Sequence, residues 1–431
     1  MLVNLAGQAA SAVADKEGRW LAKLPPFKQP GGPFELAVGG RATHVFKDVY
    51  VGDVWLCGGQ SNMEMQVNGC NAAEDIQNAK TPLIRCIRVQ KKQSSTPEKD
   101  ITGSWQVCSP QTVGGFTAVG YFFARTVHEE TKVPIGLIDS NWGGTAIEPW
   151  IPAEALKAVP EAGSRDDAEK QLAAWDGKSF PWSILYNGMI APVVPYALKG
   201  ALWYQGESNG GEGDSYYHKM RALIGGWRTA FGVGDFPFYF VQLANWQAAN
   251  DNPAGGDGWA KIREAQRRAL EIPSTGMAVI IDTVPLAARG NIHPRNKLDV
   301  GTRLARWALA CDYGKADVVP SGPLFKALAV EGAKARVTFD HVGGGLMVAR
   351  KEGKAPALED AGAPLKQFAI AGEDRKWHWA DAVIDGDAIV VSSPAVAQPV
   401  AVRYAFSMNP HGANLYNRAG LPAAPFRTDD W

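Results

Sequence analysis

Apolar residues follow two rhythms along this 431-residue chain. Between Val51 and about residue 312, uninterrupted runs of strand length alternate with segments whose apolar positions repeat at helical spacing. The runs are Val54–Cys57, Ile135–Ser140, Gly200–Tyr204, Phe238–Leu243 and Met277–Asp282, and the helical segments are 118–132, 214–231, 259–271 and 298–311. Strands apolar on both faces need cover on both sides, so the pattern predicts an α/β unit with a mostly parallel five-stranded sheet between helices. Residues 153–175, rich in Ala, Glu and Lys and interrupted by Pro160 and Gly163, predict short helices in an excursion between strands. Elsewhere the rhythm is shorter. Residues 34–50 are β-propense and broken by Gly-Gly, as in hairpins. After Asp312 the stretches KARVTFDH, GLMVARK, AIVVSS and VAVRYAF are separated by turn residues and form a second β-rich region. The expected division is a β-rich segment 1–50, an α/β unit 51–312 and a β-rich accessory region 313–431, the two ends pairing into one sandwich. No internal repeat is visible.

Open parallel sheets bind ligands at the carboxyl ends of their strands, which directs attention to the residues just beyond each run. Ser61 follows the first run in Gly59-Gln60-Ser61-Asn62-Met63, and Asn141-Trp142-Gly143-Gly144-Thr145 follows the second. Gln205-Gly206-Glu207-Ser208-Asn209 follows the third, Asn245-Trp246 the fourth, and Asn291-Ile292-His293-Pro294 lies beyond the fifth. A serine hydroxyl at a glycine-flanked turn has a competing reading as an ordinary helix cap. A nucleophile, two loops of glycine and amide donors and a histidine at one sheet edge outweigh it. Serine needs a base to remove its proton, and of the seven histidines only His293 falls on a strand-end loop of this sheet. An oxyanion formed on an ester carbonyl needs donors already in place; the Ser61 N–H, the Gly143 or Gly144 N–H and the Asn209 amide are the candidates. Gln60, Trp142, Gln205, Glu207 and Trp246 flank these groups and are expected to contact substrate.

Composition narrows the partners. Forty-four basic and 44 acidic residues cancel, which gives no electrostatic footprint for nucleic acid or a membrane surface. No apolar stretch approaches the roughly 18 residues that span a bilayer. The first 20 residues include Asp15, Lys16, Glu17 and Arg19 and do not read as an export signal; the abrupt start on Leu2-Val3-Asn4-Leu5 leaves localisation open. Five cysteines, an odd number without a Cys-x-x-Cys pair, argue against a disulfide framework or a zinc ribbon. Cys57 and Cys311 read as core residues, and Cys70 with Cys86 or Cys108 has the makings of one bridge. The glycine-rich acidic stretches GGEGD and NDNPAGGDG lack EF-hand spacing and read as loops, the second bracketed by Trp246 and Trp259, which are placed to stack on a sugar. No phosphate-binding Gly-x-Gly-x-x-Gly or His-Glu-x-x-His motif occurs. No metal, nucleotide or redox cofactor is expected, and oligomeric state is not legible.

The blocks GQSNM, NWGGTAIEPW, WYQGESN and IHPRNK, in this order, resemble the sialate O-acetylesterase family of the SGNH hydrolases. The likeness runs nearly end to end, from GGPFELAV and KDVYVGDVW to NLYNRAGLPAAPFRTDD. It implies an SGNH-hydrolase (flavodoxin-like) α/β/α sandwich, no cofactor, and hydrolysis of acetyl esters on carbohydrates in a periplasmic or secreted setting. Ser61 would be the nucleophile, Gly144 and Asn209 oxyanion donors, and His293 the base. Two other readings are a carbohydrate-binding protein on an esterase scaffold and a general small-ester or thioester hydrolase.

One position departs from the family pattern. Members commonly carry Asp two residues before the histidine, and many SGNH hydrolases carry it three before; here those positions hold Asn291 and Gly290. In serine proteases, Asp-to-Asn at the orienting carboxylate lowers turnover by about 10,000-fold. Asn291 presenting its carbonyl oxygen to the imidazole, Glu207 or Asp282 as a substitute carboxylate, a Ser-His dyad with backbone support, and an attenuating substitution are the alternatives.

Overall fold

The computed structural model describes residues 1–431. Its centre is a seven-stranded sheet in the order Thr275–Ala278, Phe238–Val241, Gly200–Tyr204, Asp53–Gly59, Ile135–Asn141, Ile84–Arg88, Gln106–Val107. The first six are parallel and the last is a short antiparallel edge. All five expected strands are present, but the sheet is not five-stranded. Ile84–Arg88 and Gln106–Val107 extend it beyond Ile135–Asn141. Arg85 and Arg88 interrupt the apolar run that betrays a buried strand; they reach out to Asp48 and to buried Asp139.

Helices cover both faces, and two adjacent residues of the central strand show it. A Cβ on Gly120, in helix Ala118–Thr131, would lie 2.9 Å from the Cys57 sulfur. A Cβ on the next strand residue, Gly58, would lie 2.8 Å from the Trp227 ring in helix Asp214–Phe231. Successive strand side chains point to opposite faces, so these helices lie on opposite sides. Helix Lys297–Asp312 packs beside Ala118–Thr131, where Gly301 lets the two backbones approach. The four expected helices thus form close to their expected bounds, with Ala260–Arg268 the fourth.

Both ends are β-rich. Residues 1–51 form their own four-stranded antiparallel sheet, in the order Gln8–Ser11, Leu2–Leu5, Gly31–Gly39, Thr43–Val51, and share no sheet with the C-terminal strands. Beyond residue 320 the chain forms three small antiparallel sheets. All five cysteines are free, so Cys70 makes no bridge to Cys86 or Cys108, and Cys311 is exposed rather than part of the core. No helix is long and apolar enough to cross a membrane.

Candidate active site

The Asp53–Gly59 strand delivers Ser61 to the carboxyl edge of the sheet through a turn only glycine permits. Gly59 has φ of +139°, and a Cβ there would lie 2.1 Å from the Tyr204 carbonyl oxygen. Gln60 then donates its N–H to that carbonyl at 3.0 Å, and its own carbonyl accepts from Met63 and Glu64, which starts the one-turn helix Ser61–Glu64. Ser61 is the first residue of this helix and Gln60 the cap, so the hydroxyl of Ser61 is free of capping duty. It lies 2.9 Å from His293 Nε2, across 232 positions of sequence. Burial, followed by the nearby Lys297 ammonium, holds the His293 pKa below its usual 6.5.

None of the expected orienting groups reaches the imidazole. The Asn291 Oδ1 accepts the backbone N–H of His293 at 2.9 Å, which closes an Asx turn and leaves the ring alone. Asp282 forms a two-pronged pair with Arg303 at 2.6 and 2.7 Å and accepts from the Tyr416 hydroxyl. Glu207 accepts from the Asn62 amide at 2.5 Å. The ring's hydrogen bond is to Ser61.

The donors divide differently from expectation. Gly143 lies against the nucleophile, where an added Cβ would be 3.3 Å from the Ser61 Cβ, but its N–H is given to Glu64 Oε2 at 2.6 Å. Glu64 is in turn paired with Lys91 at 2.5 Å. Gly144 has φ of +76°, is exposed, and its N–H has no protein acceptor. The Ser61 N–H, at the start of a helix, is likewise free. Asn209 does not fit the expected oxyanion role. Its Oδ1 accepts the Ile147 N–H at 3.0 Å, which fixes the amide orientation, and both amide hydrogens go to Glu148 and Glu212 at 3.1 and 2.8 Å. Lys219 completes that half-buried cluster.

Of the expected substrate contacts, Gln60 and Gln205 are buried and bonded together at 3.1 Å, with Gln60 Oε1 also accepting from the Ser208 N–H at 3.2 Å. They hold the Gln205–Asn209 loop rather than face solvent. Trp142 is half-buried beside Phe180, with Lys91 5.3 Å from its ring centroid. Trp259 is buried and stacks on Trp246 at 4.8 Å, so only Trp246 keeps an open face. Trp246 Nε1 donates to the Gly290 carbonyl at 3.2 Å and ties that ring to the histidine loop. No group of acidic, histidine or cysteine side chains is arranged to hold a metal.

Lys297 and Asn62 carry no role in the sequence reading yet lie at the centre of the site. Lys297 is fully buried and donates to Asn62 Oδ1 at 2.5 Å. Both residues sit inside the motif blocks GQSNM and IHPRNK, the one signal that pointed to them.

A half-buried serine bonded to histidine, beside free backbone donors, is the arrangement that a serine-type hydrolase uses. The family model for carbohydrate esterase, sialic acid-specific acetylesterase, matches residues 51–310, and the chain belongs to that family. It is 31% identical to the sialate O-acetylesterase of Rattus norvegicus, with 96% of this chain and 85% of that protein aligned. The human sialate O-acetylesterase is 35% identical over 71% of this chain and 62% of its own length. Among solved structures, a carbohydrate acetylesterase from Xanthomonas citri superposes with a TM-score of 0.86 at 40% identity, covering 100% of this chain and 93% of that one. The chain is accordingly a carboxylic-ester hydrolase of the carbohydrate acetylesterase type, and the binding-protein and general-esterase readings are not favoured.

Proposed function

We propose that residues 51–312 form an SGNH-type α/β/α catalytic unit, flanked by β-rich regions at 1–50 and 313–431, that removes acetyl groups from carbohydrates through an acetyl-enzyme on Ser61. The 2.9 Å contact between Ser61 Oγ and His293 Nε2 carries this reading. His293 takes the hydroxyl proton as Oγ attacks the acetyl carbonyl, and the tetrahedral oxyanion receives the Ser61 and Gly144 N–H groups. Collapse expels the sugar oxygen, which takes the proton from Nε2 and leaves an acetyl ester on Ser61. Water, deprotonated by the same nitrogen, then releases acetate. An open cleft lined by Ser208, Gly210, Gly258 and Trp259 lies on the outer side of the Gln205–Asn209 loop and has room for a sugar.

Acetate release from acetylated sialosides, xylo-oligosaccharides and xyloglucan, measured side by side, tests the assignment. At least one is expected to be cleaved with kcat/KM above that for p-nitrophenyl acetate; a preference for the aryl ester over every glycan would count against it.

The base must be neutral to act. Because burial and Lys297 hold the His293 pKa down, the acid limb of kcat/KM is expected below pH 6.5, the ordinary histidine value. A limb above 6.5 in a pH-rate profile would show the imidazole stabilised as a cation and contradict the geometry.

A further inference from the structure

The base of this site has no carboxylate on its ring, yet the peptide unit that carries it is held at both polar ends by side chains. The His293 N–H is taken by Asn291 Oδ1 at 2.9 Å. The Ile292 carbonyl, the other half of the same peptide plane, accepts from Asn62 Nδ2 at 3.1 Å. With the plane fixed by two hydrogen bonds, the His293 Cα is fixed too, and the ring has only its two side-chain torsions left to settle against Ser61.

Asn62 is the residue after the nucleophile, so one side chain links the serine turn to the histidine loop. Its amide is locked in a single orientation. Lys297 Nζ donates to Oδ1 at 2.5 Å, and the two amide hydrogens go to Glu207 Oε1 at 2.5 Å and the Ile292 carbonyl. A flipped amide would set NH2 against the ammonium and oxygen against a carboxylate. All three residues are expensive to bury. Lys297 is fully enclosed, with Nζ 4.9 Å from the centroid of the Tyr204 ring, and Glu207 Oε2 is buried with no partner. Buried charges of this kind add little to stability against an apolar replacement, which points to a purpose other than packing.

We infer that Asn62, clamped between Lys297 and Glu207, is the positioning residue that holds His293 on Ser61 in place of the carboxylate this chain lacks. The inference rests on the assignment of Ser61 and His293 above. The clamp also has an electrostatic side. Burial pushes the Lys297 pKa down to about 7, with Glu207 and Cys70 as the facing groups that act against that fall. His293 is faced by Ser61 and, through space, by Lys297. Arg295 and Lys354 act in turn on Cys70.

The test uses the full chain, p-nitrophenyl acetate and a pH-rate profile. A base displaced by about 1 Å loses on the order of 100-fold in rate, so Asn62→Ala is expected to lower kcat about 100-fold with KM within about threefold. Asn62→Asp keeps the shape and the Lys297 contact but has no donor for the Ile292 carbonyl, and it should fall as far. Lys297→Met removes the cation that depresses the His293 pKa, so its acid limb should move to higher pH. Asn62→Asp turning over within about threefold of the parent would overturn the inference, and an unmoved acid limb in Lys297→Met would remove its electrostatic side; if Asn62→Ala does not fold, the isosteric Asn62→Asp decides. Ser61→Ala stays inactive under either outcome, and activity surviving there would instead remove the catalytic assignment itself.

Discussion

Alanine at Ser61 is expected to lower kcat/KM for acetyl esters by at least about 10,000-fold, and alanine at His293 by about 1,000-fold, with the fold unchanged in both. Removing the nucleophile ends the acetyl-enzyme route, and what remains comes from the oxyanion donors and substrate binding. Removing the base costs what general-base catalysis supplies, about 100- to 10,000-fold. The asymmetry has a structural source. A histidine supported by a ring-bonded carboxylate stabilises the imidazolium of the transition state, and His293 has no such partner. The two residues act as one unit through their 2.9 Å bond, so the double variant should be no worse than Ser61→Ala alone. Steady-state hydrolysis with circular dichroism as the folding control would decide it. Turnover by Ser61→Ala above about one hundredth of the parent would show that another group attacks the ester.

The pairing of Ser61 with His293 was legible because parallel strands end at one edge and the rule for ligand placement needs only strand order. What side chains do at that edge was less legible. Asn209 looked like a free donor, but Glu148, 61 residues away, turns its amide aside, and no local pattern foretells that contact. Asn291 looked like a substitute for aspartate, yet a short polar side chain two residues before a backbone N–H bonds it more readily than a ring further out. The long helices and the fully buried strands were readable because burial on a regular surface imposes a period. Ile84–Arg88 was not, because its two arginines find a salt bridge at each side of an outer strand. The N-terminal strand Leu2–Leu5 lies between its hairpin partner Gln8–Ser11 and the Gly31–Gly39 strand, both of which close far shorter loops than strands some 300 residues distant.

Replacing Arg263 by methionine is expected to remove about 3 kcal/mol or more from the first unfolding transition. Arg263 lies in helix Ala260–Arg268, is fully buried, and has no carboxylate bonded to it. Its guanidinium is instead surrounded by carbonyls: Nε donates to Leu243 at 2.8 Å, Nη1 to Ser407 at 2.6 Å, and Nη2 to Met408 at 2.8 Å and to Ala244. Methionine fills comparable volume but donates nothing. Each buried carbonyl stripped of its partner costs about 1–3 kcal/mol, and only Met408 retains another donor, the Trp246 N–H at 3.4 Å. The change also reaches the site. Those carbonyls join the C-terminal segment around Ser407 to the end of the Phe238–Val241 strand, and from there Trp246 bonds the Gly290 carbonyl while the Gln247 N–H bonds Arg289 at 2.7 Å. Loss of the guanidinium therefore loosens the loop that carries His293, and kcat should fall several-fold at temperatures where the variant is still folded. Urea unfolding followed by tryptophan fluorescence, with kcat measured below the transition, reads both effects. A variant within 1 kcal/mol of the parent would mean that water enters and satisfies the carbonyls, and the C-terminal region would then not brace the catalytic loop through this residue.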